Sequence, residues 1–371
     1  MSTDLKPNGV KQRIKAFDYL NFISAFAVIL LHVSTGVFLN EGNLQWRLDV
    51  VFQSIFAFAV PIFFMISGAN LLGYRRRYST GTFLVKRVRR VFITLIGCSA
   101  IIYLLSCLVP EAIGQPQRFF GVRDFLKLFL TNRICDVYWF FYSILVLYAV
   151  TPIFSLLIER KRLFEYCLVL SGFSTFIVPL LNRYADTENL FSLLQVSYVT
   201  GFIFYYMLGY YLVHMDVELV CKISSKPYRL VLIALCCILL MIVLSLRTNI
   251  LYTQGSGLSY DNYFHSTTGP IIPIYSVCIF LLAMRVLNKS GMRLLDMGAK
   301  KMSALCLGIY AVHMPIINFL DVYVPHSIRW DLFIRPLVVL TISVVIVAAC
   351  HAVFLLLHTI WGHFCCKSRG R

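Results

Sequence analysis

Ten apolar runs separated by short polar stretches fill this 371-residue chain, at 17–39, 48–73, 91–110, 137–158, 164–181, 197–213, 230–247, 270–287, 304–323 and 331–358. Roughly 20 apolar residues is the length a helix needs to cross the hydrocarbon core of a bilayer. The runs therefore predict an all-α, polytopic membrane protein with about ten transmembrane helices. Composition agrees: 14% of residues are charged and 59% apolar, with a mean hydropathy of +0.77, against about a quarter charged in soluble domains. A water-soluble globular enzyme is excluded.

A net charge of +17 invites a nucleic-acid reading, which needs a basic face on a folded domain. Here the bases sit in clusters between apolar runs. Of the 34 Lys and Arg, 25 fall in alternate segments, and that bias predicts both termini on the inner side. Residues 40–47, 111–136, 182–196, 248–269 and 324–330 are then outer loops, rich in Tyr, Asn, Ser and Gly as in Gln254–Tyr263. The first run contains Asp18, Asn21 and His32 without a small-residue cleavage site after it, so a retained helix is expected rather than a signal peptide. The whole chain, 1–371, reads as one integral-membrane domain: a cytoplasmic tail 1–16, a bundle 17–358 and a second tail 359–371. Most of the 12 cysteines lie inside apolar runs without a Cys-x-x-Cys pair and read as small hydrophobes; no metal is expected.

Polar groups inside a bilayer are costly and are functional candidates for that reason. Asn21 and His32 are eleven residues apart, which returns within about 20° to the same helix face and separates them by about 16 Å along the axis. His313, in the ninth run, lies at a similar depth, with Tyr310 one turn earlier. Two histidines at one depth imply a polar cavity, or else a structural pair. Ser67 and Gly68 close the second run after Pro61, where a neighbouring backbone or a ligand could come close. Next come Arg75, Arg76, Arg77, then Lys86, Arg87, Arg89 and Arg90. Seven bases in one inner segment exceed what orientation requires. Arg87 and Arg90 share a helix face, and guanidinium groups suit phosphate oxygens; a lipid-headgroup anchor is the other reading. On the outer side Trp139 and Tyr142 suit either an interfacial aromatic belt or the face of a sugar.

Taken together, these segments resemble the membrane acyltransferase family 3. That family carries an Arg, ten intervening residues and a His in its first helix, then Phe-Phe-x-x-Ser-Gly and an inner Arg-x-x-Arg. The matching residues are His32, Phe63 to Gly68 and Arg87 to Arg90, with Tyr138 to Phe141 and Gly308 to His313 also similar. One departure is visible: Asn21 stands where the family has its Arg. The resemblance implies a bacterial inner-membrane enzyme of the stand-alone type, moving an acyl group, acetyl first of all, from cytoplasmic acetyl-CoA to a hydroxyl of a cell-surface polysaccharide or undecaprenyl-linked oligosaccharide.

In that reading Arg87, Arg90 and Lys86, with Ser67 and Gly68, hold the CoA. His32, Asn21 and His313 form the catalytic group, while Trp139, Tyr142 and Tyr310 contact the acceptor. His32 serves as general base or as the carrier of an acyl-imidazole, and residue types do not separate the two. The expected partners are acyl-CoA, the glycan and membrane lipid, with no nucleic acid. The competing class is a transporter or flippase of a lipid-linked glycan, which gives no reason for an Arg-x-x-Arg beside a Ser-Gly helix end.

Overall fold

The computed structural model of the chain describes residues 13–39, 41–185, 199–253, 260–289 and 291–368, and is helical without strands among them. The helices are α1 (Lys15–Val33), α2 (Leu44–Phe56), α3 (Ala59–Leu71), α4 (Thr80–Leu108), α5 (Val122–Leu130), α6 (Trp139–Leu157), α7 (Lys161–Gly172), α8 (Val178–Ala185), α9 (Val199–Tyr210), α10 (Val217–Ser224), α11 (Pro227–Thr253), α12 (Ile272–Val286), α13 (Arg293–Tyr323) and α14 (Arg335–Ser368). Nine stretches among the described residues are long and apolar enough to cross a membrane, and the protein is multi-pass. They coincide with nine of the ten expected runs. The tenth, 197–213, is helical over Val199–Met215. Its first two residues, like Gln254 to Ser259 of the outer loop, lie outside the described ones.

Two boundaries differ from expectation. The run 48–73 is two helices in tandem, broken at Ala57 and Phe58. Pro61 has no N–H for the Ala57 carbonyl and its ring crowds that position, so the helix restarts just before it. Tyr275 donates to the Ile55 carbonyl at 2.7 Å, capping the interrupted end. The third run was expected to begin at 91, but α4 starts eleven residues earlier behind Ser79, whose side chain accepts from the Thr82 N–H. Lys86 to Arg90 therefore stand inside α4, with the shared helix face expected of Arg87 and Arg90, because a good cap starts a helix well before its apolar stretch.

α1 packs chiefly on α13 and on α3, and α3 in turn on α9. The first pair is held in register along its length: Lys15 and Tyr19 reach Asp296 at 2.5 and 2.8 Å, and Asn21 reaches Ser303 at 3.1 Å. Farther on, the rings of His32 and His313 meet at 5.2 Å. Rising numbers match rising numbers, so the two helices are parallel. If each of the nine spans crosses once, that direction requires Val199–Met215 to cross as well, which restores the ten crossings of the sequence reading. α3 and α9 approach through glycines. A Cβ on Gly68 would fall on the Tyr206 carbonyl, and one on Gly209 on that of Met65, the small-residue contact that lets membrane helices touch.

A second staple joins α6 to α13. Pro315 lies inside α13 and offers no N–H to the Ala311 carbonyl one turn earlier. Tyr138 donates to that carbonyl at 2.7 Å, and Tyr310 donates to the Val137 carbonyl at 2.6 Å. Tyr138→Phe is therefore expected to lower unfolding stability by about 1–3 kcal/mol, the cost of a buried acceptor left bare. Pro315→Ala restores the missing N–H and should make the same change nearly silent. Detergent melts of both single variants and the double variant test this coupling; equal losses with and without Pro315 would refute it.

Candidate active site

Between α1, α3, α4, α6 and α13 lies a cavity of about 170 Å³, lined by Asn21, Ser67, Arg87, Arg90, Tyr148, Ser303, Cys306 and Tyr310, with Phe63, Phe140 and three aliphatic residues. Five of the eleven residues singled out from sequence meet here: Asn21, Ser67, Arg87, Arg90 and Tyr310. The lining holds two guanidinium groups and no carboxylate. Neither Arg87 nor Arg90 takes part in an ion pair among the described residues, and Arg87 Nε is buried without a hydrogen-bond partner there. Two unneutralised cations with no facing acid give such a cavity a positive potential, which favours an anion.

Other bases of the same inner segment are already committed. Arg75 bonds Ser155 Oγ at 2.7 Å and the Pro152 carbonyl at 3.3 Å, closing the end of α6. Arg77 bonds the Asn70 carbonyl at the end of α3 at 2.6 Å. Lys86, expected with the cofactor-binding group, is not in that lining and has its ammonium 5.3 Å from the ring of Tyr78. Helical spacing alone does not separate it, since Lys86 and Arg90 are four residues apart and neighbours on α4; the turn of its side chain toward Tyr78 does.

Tyr310 ends the cavity. Its ring lies 4.9 Å from Phe140 on one side and 5.3 Å from His313 on the other. Beyond it stand the histidines. His313 is fully buried, and its Nδ1 lies 2.7 Å from the Tyr310 carbonyl. A carbonyl can only accept, so Nδ1 carries the proton and Nε2 presents its lone pair. That Nε2 is buried with no hydrogen-bond partner among the described residues, beside the partly buried ring of His32. The pair offers a fixed acceptor next to a second imidazole in a water-poor setting, as proton removal from a hydroxyl requires.

Three residues expected at the site are placed elsewhere. Gly68 serves the α3–α9 contact rather than the cavity, because its missing side chain faces Tyr206. Trp139 stacks on Phe202 at 5.3 Å and 19°, which covers one ring face. Tyr142 donates to the Phe129 carbonyl at the end of α5 and packs on the Phe129 ring; it holds the α5 segment. Conversely, Ser303, Cys306 and Tyr148 line the cavity without having been singled out. The signal was present for the first two: 303, 306 and 310 follow the three-and-seven spacing of one helix face that ends at Tyr310.

A family model described as an acyltransferase domain, that of acyltransferase family 3, matches residues 14–355. The chain belongs to this acyltransferase family. No curated protein and no solved structure gives a significant match. The matched stretch takes in every helix that lines the cavity and both histidines, so the membrane acyltransferase holds its arginine-lined cavity and its histidine pair within the family domain.

Proposed function

We propose that this acyltransferase takes an acetyl group from acetyl-CoA and passes it to a hydroxyl of a cell-surface or lipid-linked polysaccharide, in the bacterial inner membrane with both termini cytoplasmic. The observation that carries the donor half is the cavity itself, with two free guanidiniums and no acid. Pockets that enclose drug-sized ligands run to about 300–1,000 Å³, so 170 Å³ suits only the slender arm of the coenzyme. Arg87 and Arg90 pair with its phosphates toward the mouth, where Arg90 is exposed. Asn21 and Ser303, already bonded to each other, offer amide and hydroxyl dipoles to the amides partway along that arm, whose thioester end lies farther on, toward His32.

Transfer then follows from the histidines. The acceptor hydroxyl gives its proton to imidazole as its oxygen attacks the thioester carbonyl; the C–S bond breaks, and the thiolate leaves with that proton. In the covalent variant an imidazole nitrogen of His32 takes the acetyl first and the hydroxyl then displaces it, with the same overall balance. The depth of the pair within the bundle keeps water from competing.

The acceptor class is supported by likeness in sequence. The segments HVSTGV, VPIFFMISG, MLGYY and LGIYAVH resemble the O-acetyltransferase of enterobacterial common antigen. The test is to incubate purified protein with labelled acetyl-CoA and a lipid-linked glycan extract. Release of CoA and label in the glycan, each dependent on both substrates, is the expected result. Movement of glycan between leaflets without label transfer would favour the flippase reading.

A further inference from the structure

Past His32 the first helix ends, and the chain turns through Thr35–Leu39 before α2. Against that turn lies a second buried polar cluster, separate from the arginine cavity. Asp49 of α2 is 2% exposed, Asp331 1% and Arg335, at the start of α14, 3%. Arg335 bridges Asp331 at 3.0 Å and Asp321 at 2.9 Å. Asp331 also accepts from Gln45 at 3.2 Å and lies 3.0 Å from His326 Nδ1.

Two polar groups in the cluster are left over. Asp49 accepts no hydrogen bond among the described residues, and the charges that act on it are those of Asp331, Arg335 and Glu41. Arg335 Nε is buried with no partner. A carboxylate out of water without donors is expensive, and this one is packed against the turn where Gly36 has no side chain: a Cβ built there would lie 2.6 Å from Asp49 Oδ2. One turn along α2, Gln53 donates to the Leu31 carbonyl at 2.7 Å and to Ser34 Oγ at 2.9 Å. The face that carries Asp49 is thus pinned to the last turn of α1, where His32 sits.

The chemistry of the leftovers selects the ligand. When ionised, Asp49 can only accept, and Arg335 Nε can only donate, so a group that does both fits, which is a hydroxyl. Vicinal hydroxyls of a sugar satisfy a carboxylate through two bonds at once. A divalent cation does not fit, because Arg335 already stands between the carboxylates, and no group of three or more His, Cys, Asp or Glu among the described residues could hold a metal ion. We infer that Asp49 and Arg335 Nε form the binding subsite for hydroxyls of the glycan acceptor. The inference rests on the acyl-transfer reading above and deepens it. Along α1, Asn21 in the donor cavity lies eleven residues before His32 and Gly36 four residues after it, so the histidine stands between the two substrates.

The test varies a lipid-linked oligosaccharide extract at saturating acetyl-CoA, then acetyl-CoA at saturating extract. Asp49→Asn keeps the shape and removes the charge. Its apparent KM for the extract should rise roughly tenfold, with the acetyl-CoA KM and the detergent melting temperature unchanged. An unchanged KM for the extract, or a lower melting temperature with both KM values intact, overturns the subsite and leaves a structural carboxylate. Should Asp49→Asn fail to fold, Gly36→Ala crowds the same carboxylate and is read by the same criteria. Failure of the underlying reading looks different: the unaltered protein would then transfer no label to any extract.

Discussion

His32→Ala should lower acyl transfer by at least about a hundredfold, the range general acid–base catalysis contributes being 10² to 10⁴, while the protein still inserts and melts near its normal temperature. No hydrogen bond of the His32 ring is recorded among the described residues, and its contact there is the ring of His313 at 5.2 Å. Truncation therefore leaves no polar group newly orphaned. His313→Ala is expected to be costlier for the fold, because it empties a fully buried position and leaves the Tyr310 carbonyl without its Nδ1–H. Turnover and melting temperature, measured on both variants at matched protein level, separate the two cases. Near-normal transfer by His32→Ala would remove His32 from the chemistry, and the unpartnered lone pair of His313 would be the remaining base. Single-turnover labelling without acceptor adds the route: label retained on the unaltered protein and lost in His32→Ala marks an acyl-imidazole.

The helices were legible because a bilayer sets their length, and length is written directly in apolar runs. Asn21, Ser67, Arg87, Arg90 and Tyr310 were legible for a related reason: each is a residue type that lipid tolerates only with cause. That they share one cavity was not, since it depends on α1 and α13 lying parallel against α4 and α6. Asp49, Asp331 and Arg335 carried the same signal as His32 but fell near the ends of their runs, where charge is commonplace. Trp139 and Tyr142 show the opposite limit. An aromatic near the outer boundary reads alike whether its face is free or covered, and only packing on Phe202 and Phe129 decides. The start of α4 was misread because a cap, Ser79, outranks hydropathy there; which bases of the cluster line the cavity was not legible either, and the structure turns Arg87 and Arg90 to it and Lys86 to Tyr78.

That distinction makes the arginine pair testable residue by residue. Each charge-assisted bond from a guanidinium to phosphate is worth about 1.5–3 kcal/mol, so Arg87→Gln should raise the apparent KM for acetyl-CoA by roughly ten- to a hundredfold with little change in kcat, the sign of binding lost equally from ground and transition states. Arg90→Gln should act in the same direction by less, because Arg90 is exposed and its contact is screened. Lys at position 87 keeps the charge and loses the planar fork, giving a value between the two. Lys86→Gln is the internal control: it removes a base one residue away that faces Tyr78, and it should leave the acetyl-CoA KM where it was. A segment acting only as a headgroup anchor predicts another pattern. There all three neutral variants would lower the amount of inserted protein in proportion to charge removed, and the KM of what remained would not move. Equal effects from Lys86 and Arg87 would therefore tell against the cavity as the donor site even if activity fell in every variant.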